Sequence, residues 1–521
     1  MAVKLHNNIQ KTNTYFTELE NDKSVWFFKC SEQELLNLVR SLKTNYSSGP
    51  DNINSKDLKE IIYTIKKKLV SAINNCLASG NFPSICKISK VIPIYKKGDK
   101  GNVENYRPIS LTSIFSKILE KVIKSRLVKF FELSKHQYGF QEKSSTQGAT
   151  VDLIHNIVTK LEDKNDVIVV FVDLQKAFDT VKHSHLLLKL KKLGIRGPAF
   201  KLISSFLSER SQFTIVNNEI SNTRNVTTGV PQGSVLGPLL YLLYVESLSV
   251  AGITAEHYMF ADDTALLYHG KNSPELQNTI NNDLVRFLHW LSANSLVINE
   301  SKTVFLHFHQ KLINLPVQIN INNKPISQVH CYKYLGLIID DKLTWNKHVD
   351  NIVNKKLCGL IGALQRVNDF LTEKCKYLLY YAHIQSVLTY LTVVWTNLSV
   401  FNTNRLKRFQ NKAIKAIFKI PYDTKTVDIY NSLSIMQLAK LQELELCKLI
   451  YKIKNKETKT NINLNLKSDK HQYQTRRADN ICIARIRTNK GYKSPIYQGC
   501  KYFNEIPKNI RNVEKYNNFV K

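Results

Sequence analysis

Two stretches of this chain build up apolar side chains and then stop on acid. Val167–Val172 reads VIVVFV, a run of β-branched and aromatic residues that suits a strand buried on both faces, and it ends at Asp173. Further along, His257–His269 reads HYMFADDTALLYH, which predicts two short strands joined by a tight turn at Asp262 and Asp263. A carboxylate that closes a buried run is costly unless it is paired or binds a cation. Two adjacent aspartates repel each other, and a divalent ion relieves that repulsion. Surface turns favour aspartate, so the pair alone is a weak signal. Asp173 at the end of a second buried strand makes the signal stronger. Carboxylates converging from two strand elements can hold two Mg²⁺ ions. Such ions activate a hydroxyl, stabilise a phosphoryl-transfer transition state and carry away pyrophosphate.

Charge agrees with a phosphate-rich partner. The 521 residues carry 74 Lys and Arg against 42 Asp and Glu, a net of +32, which suits neutralisation of a nucleic-acid backbone. A chain of this length should divide into two to four lobes. No apolar run is long enough to span a membrane, and the N-terminus (MAVKLHNNIQ) has no hydrophobic signal core. Nine cysteines, with no CxxC pair and no zinc spacing, read as reduced thiols of an intracellular protein, in nucleus, cytoplasm or both. His307 and His309 read as ordinary strand or surface histidines.

Texture divides the chain. Residues 31–80 predict helices, with Leu35, Leu36, Val39 and Leu42 at helical spacing and a break at Ser47–Asp51 (SSGPD). From Val91 the pattern is short apolar segments between Gly, Pro and Asn. After Trp345 helix returns, with Val349, Ile352, Val353, Leu357, Leu360 and Leu364 on one face. Residues 453–470 are rich in Lys and Asn and read as a loop or linker. Residues 341–521 hold 33 Lys and Arg against 13 Asp and Glu, so the last third is the more basic part. Within it Arg405, Arg408, Lys412, Lys415 and Lys419 recur at steps of three and four, a helical stripe with Phe409, Ala413, Ala416, Ile417 and Ile420 on the other side. The stripe suits either a solvated face or the backbone of a template–primer duplex.

Val172–Thr180 (VDLQKAFDT), Thr228–Leu239 (TGVPQGSVLGPL) and Phe260–Asp263 (FADD) resemble motifs A, B and C of reverse transcriptases. Ser48–Asn52 (SGPDN), Asn105–Ser110 (NYRPIS), Gln137–Phe140 (QYGF), Ser295–Thr303 (SLVINESKT) and Tyr334–Trp345 (YLGLIIDDKLTW) are similar to the flanking motifs of non-LTR retrotransposon enzymes, in the same order. The nearest likeness is to the Jockey-like group. It continues through Arg405–Lys412 and Tyr502–Pro507.

The resemblance implies an α+β fold of right-hand polymerase type: antiparallel-sheet palm, mixed fingers, helical thumb and a helical basic C-terminal region. Residues 1–60 would be an N-terminal extension, 61–165 fingers, 166–345 palm with part of the fingers, 346–425 thumb and 426–521 the basic region. It implies addition of dNTPs to a DNA primer on an RNA template, and on a DNA template as well, with two Mg²⁺ or Mn²⁺ ions held by Asp173, Asp262 and Asp263. Phe178 would lie under the sugar of the incoming nucleotide as a steric gate, and Gln232 and Gly233 would shape its pocket. Arg107 and Lys97 would grip the triphosphate, a task suited to a forked guanidinium. Lys302 would protonate the departing pyrophosphate, and Leu335 and Gly336 would support the primer. Asp179 reads as structural at the start of the next helix, and Asp340–Asp341 as a second, non-metal pair. Glu246–Ser247 departs from the family's usual Asn-Asp.

Three rivals remain: a viral RNA-dependent RNA polymerase, a nucleic-acid-binding relative that has lost catalysis, and, more distantly, a metal-dependent nuclease. Residues 1–40 are too few for an N-terminal endonuclease and the tail has no Cys/His cluster. The chain is therefore expected to be the polymerase part of a larger product or a truncated copy.

Overall fold

Alternation of texture along the chain becomes alternation of structure. The computed structural model describes residues 21–309, 317–396, 398–421, 423–469, 478–513 and 516–520. The N-terminal decapeptide inspected for a signal core lies outside them. In chain order the strands are β1 (Ile88–Tyr95), β2 (Tyr106–Leu111), β3 (Asp166–Val172), β4 (Arg210–Val216), β5 (Glu219–Ile220), β6 (Arg224–Val226), β7 (Glu256–Phe260), β8 (Asp263–Gly270), β9 (Val304–Phe308), β10 (Asn320–Ile321), β11 (Lys324–Pro325), β12 (Ser327–Gln328), β13 (Cys331–Tyr334) and β14 (Leu337–Asp340). Helices hold about half of the residues, and with these sheets they make a mixed α+β protein. No helix among the described residues is long and apolar enough to cross a membrane. All nine cysteines are free thiols.

The chain divides into two units. The first comprises Met1–Phe140, Asp173–Thr254 and Asn282–Asn299. Its sheet runs β2-β1-β4-β5, with β6 also on β4. β1 is antiparallel to β2 (Ile92↔Ile109) and parallel to β4 (Ile88↔Ser211). The helix Ser55–Ser79 begins at a capping box, in which Asn54 accepts from the backbone of Asp57 while Asp57 accepts from that of Asn54. The helix Gly237–Val245 is apolar all round, and every residue from Leu239 to Val245 is buried. Glu120 is fully buried on Ile114–Phe130, accepting from Val235 N at 2.7 Å and Leu236 N at 3.0 Å. Burial pushes its carboxyl above the usual range.

The second unit comprises Gln141–Val172, Ala255–Asn281 and Glu300–Lys521. Its sheet runs β12-β9-β3-β8-β7, with β3 central and antiparallel to both neighbours. Every residue of β3 after Asp166 is buried, as its unbroken apolar run predicts. Phe171 stacks on Tyr332 at 4.3 Å, which seats the β13–β14 hairpin. After Trp345 the helical run holds a π-turn over Asn351–Leu357. The wider turn adds a residue to the ladder and shifts the phase. Beyond it, in the α-helix Cys358–Val367, Ile361 is buried and Leu360 only half-buried, while Leu357 and Leu364 are buried as the pattern predicts.

Past Lys454 the Lys/Asn-rich segment is mostly loop, as its composition predicts, but an anchored one. Helix Leu438–Lys454 takes up its start. Beyond it Lys459 N donates to Lys143 O at 2.8 Å. Fully buried Asp152, on helix Thr146–Glu162, accepts from Asn461 N at 2.7 Å and from the Thr460 hydroxyl. At the same helix's end Glu162 accepts from Arg487 N at 2.8 Å and Thr488 N at 3.1 Å.

Candidate active site

The β7–β8 hairpin carries the acidic pair. Phe260 pairs with Asp263, so the two-residue turn is Ala261–Asp262, one residue earlier than a turn centred on the pair. Ala261 has φ +59°, a left-handed conformation that costs a non-glycine residue on the order of 1 kcal/mol. Asp262 is half-buried and Asp263 is exposed. Val172, the last residue of β3, pairs with Thr264, the residue after Asp263. Asp173 is the next residue in the chain.

Asp173 is held in the first unit. Its Oδ2 accepts from Asn299 Nδ2 at 3.0 Å and its carbonyl from Asn299 N at 2.8 Å. Past it the chain turns through Gln175–Thr180, and the next helix starts at His183. Asp179 therefore lies in the turn and not at a helix start. It accepts from Gln232 Nε2 at 3.1 Å, and burial raises its carboxyl while that amide holds it down. Phe178 is half-buried, stacked on Tyr241 at 4.4 Å and edge-on to Phe140 at 6.1 Å.

The glycine-containing loop laces onto this turn. Gly229 N donates to Val181 O at 2.8 Å and Val230 N to Phe178 O at 3.0 Å. Gln232 O accepts from Ser110 N at 2.6 Å, which ties the loop to β2. A Cβ at Gly233 (φ +118°) would fall 2.5 Å from Ser110 O, so no larger residue fits unshifted. Phe178, Gln232 and Gly233 are thus brought together. Arg107 is exposed on β2 opposite Ile94, and Lys97 is exposed in the turn after β1.

The other candidates belong to the second unit. Lys302 is exposed in the turn before β9. Leu335 (φ +46°) and Gly336 (φ +86°) form the two-residue turn of the β13–β14 hairpin. Tyr390 fixes that turn, its hydroxyl donating to Leu335 O at 2.7 Å while its ring would lie 3.1 Å from a Cβ at Gly336. Tyr334 Oη donates to Tyr258 O at 3.2 Å and so ties the hairpin to β7. Sequence reasoning missed Tyr390, which no local motif marks.

The basic stripe is partly committed to its own chain. It lies on helix Val400–Phe418, with Lys419 as a left-handed C-cap beyond it. Arg405 pairs with Asp350 at 2.5 Å, Lys415 donates to Thr424 O at 3.1 Å, and Lys419 pairs with Asp369. Arg408 and Lys412 are exposed. Reversing both charges (Arg408→Glu with Lys412→Glu) is expected to weaken template–primer binding and lower its log–log salt slope by nearly two units, at about 0.9 per phosphate contact. Fluorescence anisotropy at several salt concentrations measures it. An unchanged slope returns the stripe to a solvated face.

Asp340 is a structural cap. Its carboxylate accepts from the backbone N of Lys342 at 3.2 Å, Thr344 at 2.9 Å and Trp345 at 2.8 Å, and Asp341 pairs with His330 at 2.8 Å. Asp340→Ala is expected to cost about 2 kcal/mol, because three backbone N–H groups, that of Trp345 buried, lose a charged acceptor. Chemical denaturation checks this, and an unmoved midpoint would contradict the cap. Glu246 and Ser247 are also occupied: Glu246 accepts from Ser134 N at 2.8 Å, and Ser247 Oγ accepts from Trp290 Nε1 at 3.0 Å and from buried Lys189 at 3.1 Å.

The hairpin pair offers hard oxygen donors on adjacent residues, the chemistry Mg²⁺ and Mn²⁺ prefer. Among the described residues no group of three or more His, Cys, Asp or Glu forms a complete cage. Mg²⁺ is commonly held by one or two carboxylates together with substrate phosphates, so the pair fits without a cage.

Residues 94–339 match the reverse transcriptase (RNA-dependent DNA polymerase) family. Over 421 residues the chain is 30% identical to a probable RNA-directed DNA polymerase from transposon BS of Drosophila melanogaster, covering 77% of this chain and 46% of that protein. It is 29% identical over 427 residues to the RNA-directed DNA polymerase from mobile element jockey of the same species, covering 79% and 46%. To a probable RNA-directed DNA polymerase from the X-element it is 31% identical over 328 residues, covering 61% and 36%. The chain thus spans about half the length of the curated relatives it matches, or less.

Proposed function

Residues 94–339 are a reverse transcriptase domain of the jockey-like, non-LTR retrotransposon kind, and from that premise we propose that the chain extends a DNA primer on an RNA template by two-metal phosphoryl transfer. The observation that carries the proposal is the acidic hairpin in register with the end of β3, where Val172 pairs with Thr264 and Asp173 follows in the chain. Asp173, Asp262 and Asp263 are assigned as the ligands of two divalent ions. Bound, these would neutralise the triphosphate and activate the primer 3′-hydroxyl.

The chain's own side chains supply position. Phe178 packs against the sugar of the incoming dNTP, with Tyr241 behind it to hold the ring. Gln232 and Gly233 border the nucleotide, the missing side chain of Gly233 letting backbone come close. Arg107 and Lys97 neutralise phosphate charge, and Lys302 gives a proton to the leaving pyrophosphate. The Leu335–Gly336 turn, braced by Tyr390, supports the primer strand. Residues 61–165 are assigned as fingers, 166–345 as palm with part of the fingers and 346–425 as thumb.

Primer extension on poly(rA)/oligo(dT) with Mg²⁺ or Mn²⁺ tests the reading. Incorporation of dTTP supports it. Tight duplex binding with no incorporation under either ion would leave a nucleic-acid-binding relative that has lost catalysis.

A further inference from the structure

Away from the acidic hairpin, the second unit contains a cavity of about 320 Å³. It opens between helix Thr146–Glu162, the segment after β14, the start of helix Val400–Phe418 and the stretch 489–495. Three lysines line it, Lys342, Lys490 and Lys493, and no carboxylate does. Asp340 and Asp341 are the acids nearest to Lys490 in effect, but both are engaged elsewhere, Asp340 by three backbone N–H groups and Asp341 by His330. Burial lowers the pKa of Lys490, as expected of an ammonium withdrawn from water.

Two long helices begin at the same rim. Ser399 caps the 19-residue helix Val400–Phe418 and Ser494 caps the 11-residue helix Pro495–Glu505, so two positive helix ends add to the lysines. The remaining lining mixes apolar side chains, Ile154, Val158, Trp345 and Val394 among them, with the polar Thr344, Asn346 and Asn489. The lining therefore offers cations for an anion and apolar side chains, with a tryptophan, for a flat, weakly polar group. Small-molecule sites run from roughly 300 to 1,000 Å³, and this one is at the lower end, the size for one small ligand and not for a duplex.

We propose that this cavity is a second, non-catalytic site for a phosphorylated nucleoside, with Lys342, Lys490 and Lys493 taking the phosphate and the apolar side chains taking base and sugar. A free mononucleotide and the phosphorylated end of a nucleic-acid strand share this chemistry. None of the lining residues is assigned to the polymerase reaction, so the two readings fail independently.

Calorimetric titration of the full chain in EDTA, which removes divalent ions from the polymerase site, tests the proposal. The probes are AMP, inorganic phosphate and a 5′-phosphorylated oligo(rA). AMP is expected to bind at one equivalent, and Lys490→Glu with Lys493→Glu to weaken it by roughly tenfold or more. Lys490→Met with Lys493→Ala, a milder pair, repeats the loss should the charge reversal disturb folding. Asp263→Asn is expected to bind AMP as wild type does. A lysine-dependent preference for the oligonucleotide over AMP assigns a strand end, and equal affinity assigns a free nucleotide. Three results overturn the proposal: no AMP binding at about 1 mM, AMP binding indifferent to both lysine pairs, or inorganic phosphate binding as tightly as AMP. Primer extension by the lysine variants, run alongside, reports on the polymerase reading separately.

Discussion

Asp263→Asn is expected to abolish primer extension while folding and duplex binding persist. The side chain is exposed at the first residue of β8, so the substitution leaves the Phe260–Asp263 backbone pair and the core of the sheet intact. Exchanging one carboxylate oxygen for an amide removes a unit of negative charge where two cations are assigned. Losing a metal ligand should cost several kcal/mol of transition-state stabilisation, a fall of roughly a thousandfold or more in rate. Single-turnover extension measures the loss, and circular dichroism with anisotropy confirms that fold and binding survive. A variant retaining a tenth of the wild-type rate would move the chemistry elsewhere.

Phe178→Val is expected to let the proposed polymerase accept ribonucleotides as well as deoxynucleotides. The ring is half-buried, stacked on Tyr241 and edge-on to Phe140, which leaves it little freedom to swing away from a 2′-hydroxyl. A clash of that kind is worth a few kcal/mol, or discrimination of roughly a hundredfold. Valine keeps the apolar contact with Tyr241 and opens the space. The measurement is kcat/KM for rGTP and dGTP opposite template C, in both proteins. The ratio should rise by about two orders of magnitude with dGTP turnover reduced only modestly. An unmoved ratio would make Phe178 a core aromatic and restore the RNA-polymerase rival.

What sequence made legible was local. The unbroken apolar run of β3 signalled a strand covered on both faces, and it is the central strand of its sheet. The acidic hairpin was readable from two apolar segments around one turn, although its turn is Ala261–Asp262. Asp179 was misplaced at a helix start because hydrophobic periodicity cannot see that Gln232, far along the chain, claims its carboxylate. The basic stripe had the right spacing, but Asp350, Thr424 and Asp369 engage three of its five cations through contacts that no helical wheel contains. The π-turn over Asn351–Leu357 was equally hidden, since a single added residue in the ladder leaves composition unchanged.

The anchoring of the Lys/Asn-rich segment bears on what a shortened copy of this gene would encode. A stop codon after residue 455 removes the backbone N–H of Asn461 and the hydroxyl of Thr460, and with them two hydrogen-bond donors to a carboxylate that has no exposure to water. Asp152 belongs to the helix Thr146–Glu162, which packs on β3 and β7, so that helix would lose two of the bonds that tie it to the last part of the chain. Such a copy would not be a polymerase with a weakened grip. It would be a chain with a loosened helix under β3 and β7, a defect of folding stability at a distance from the acidic hairpin's own residues.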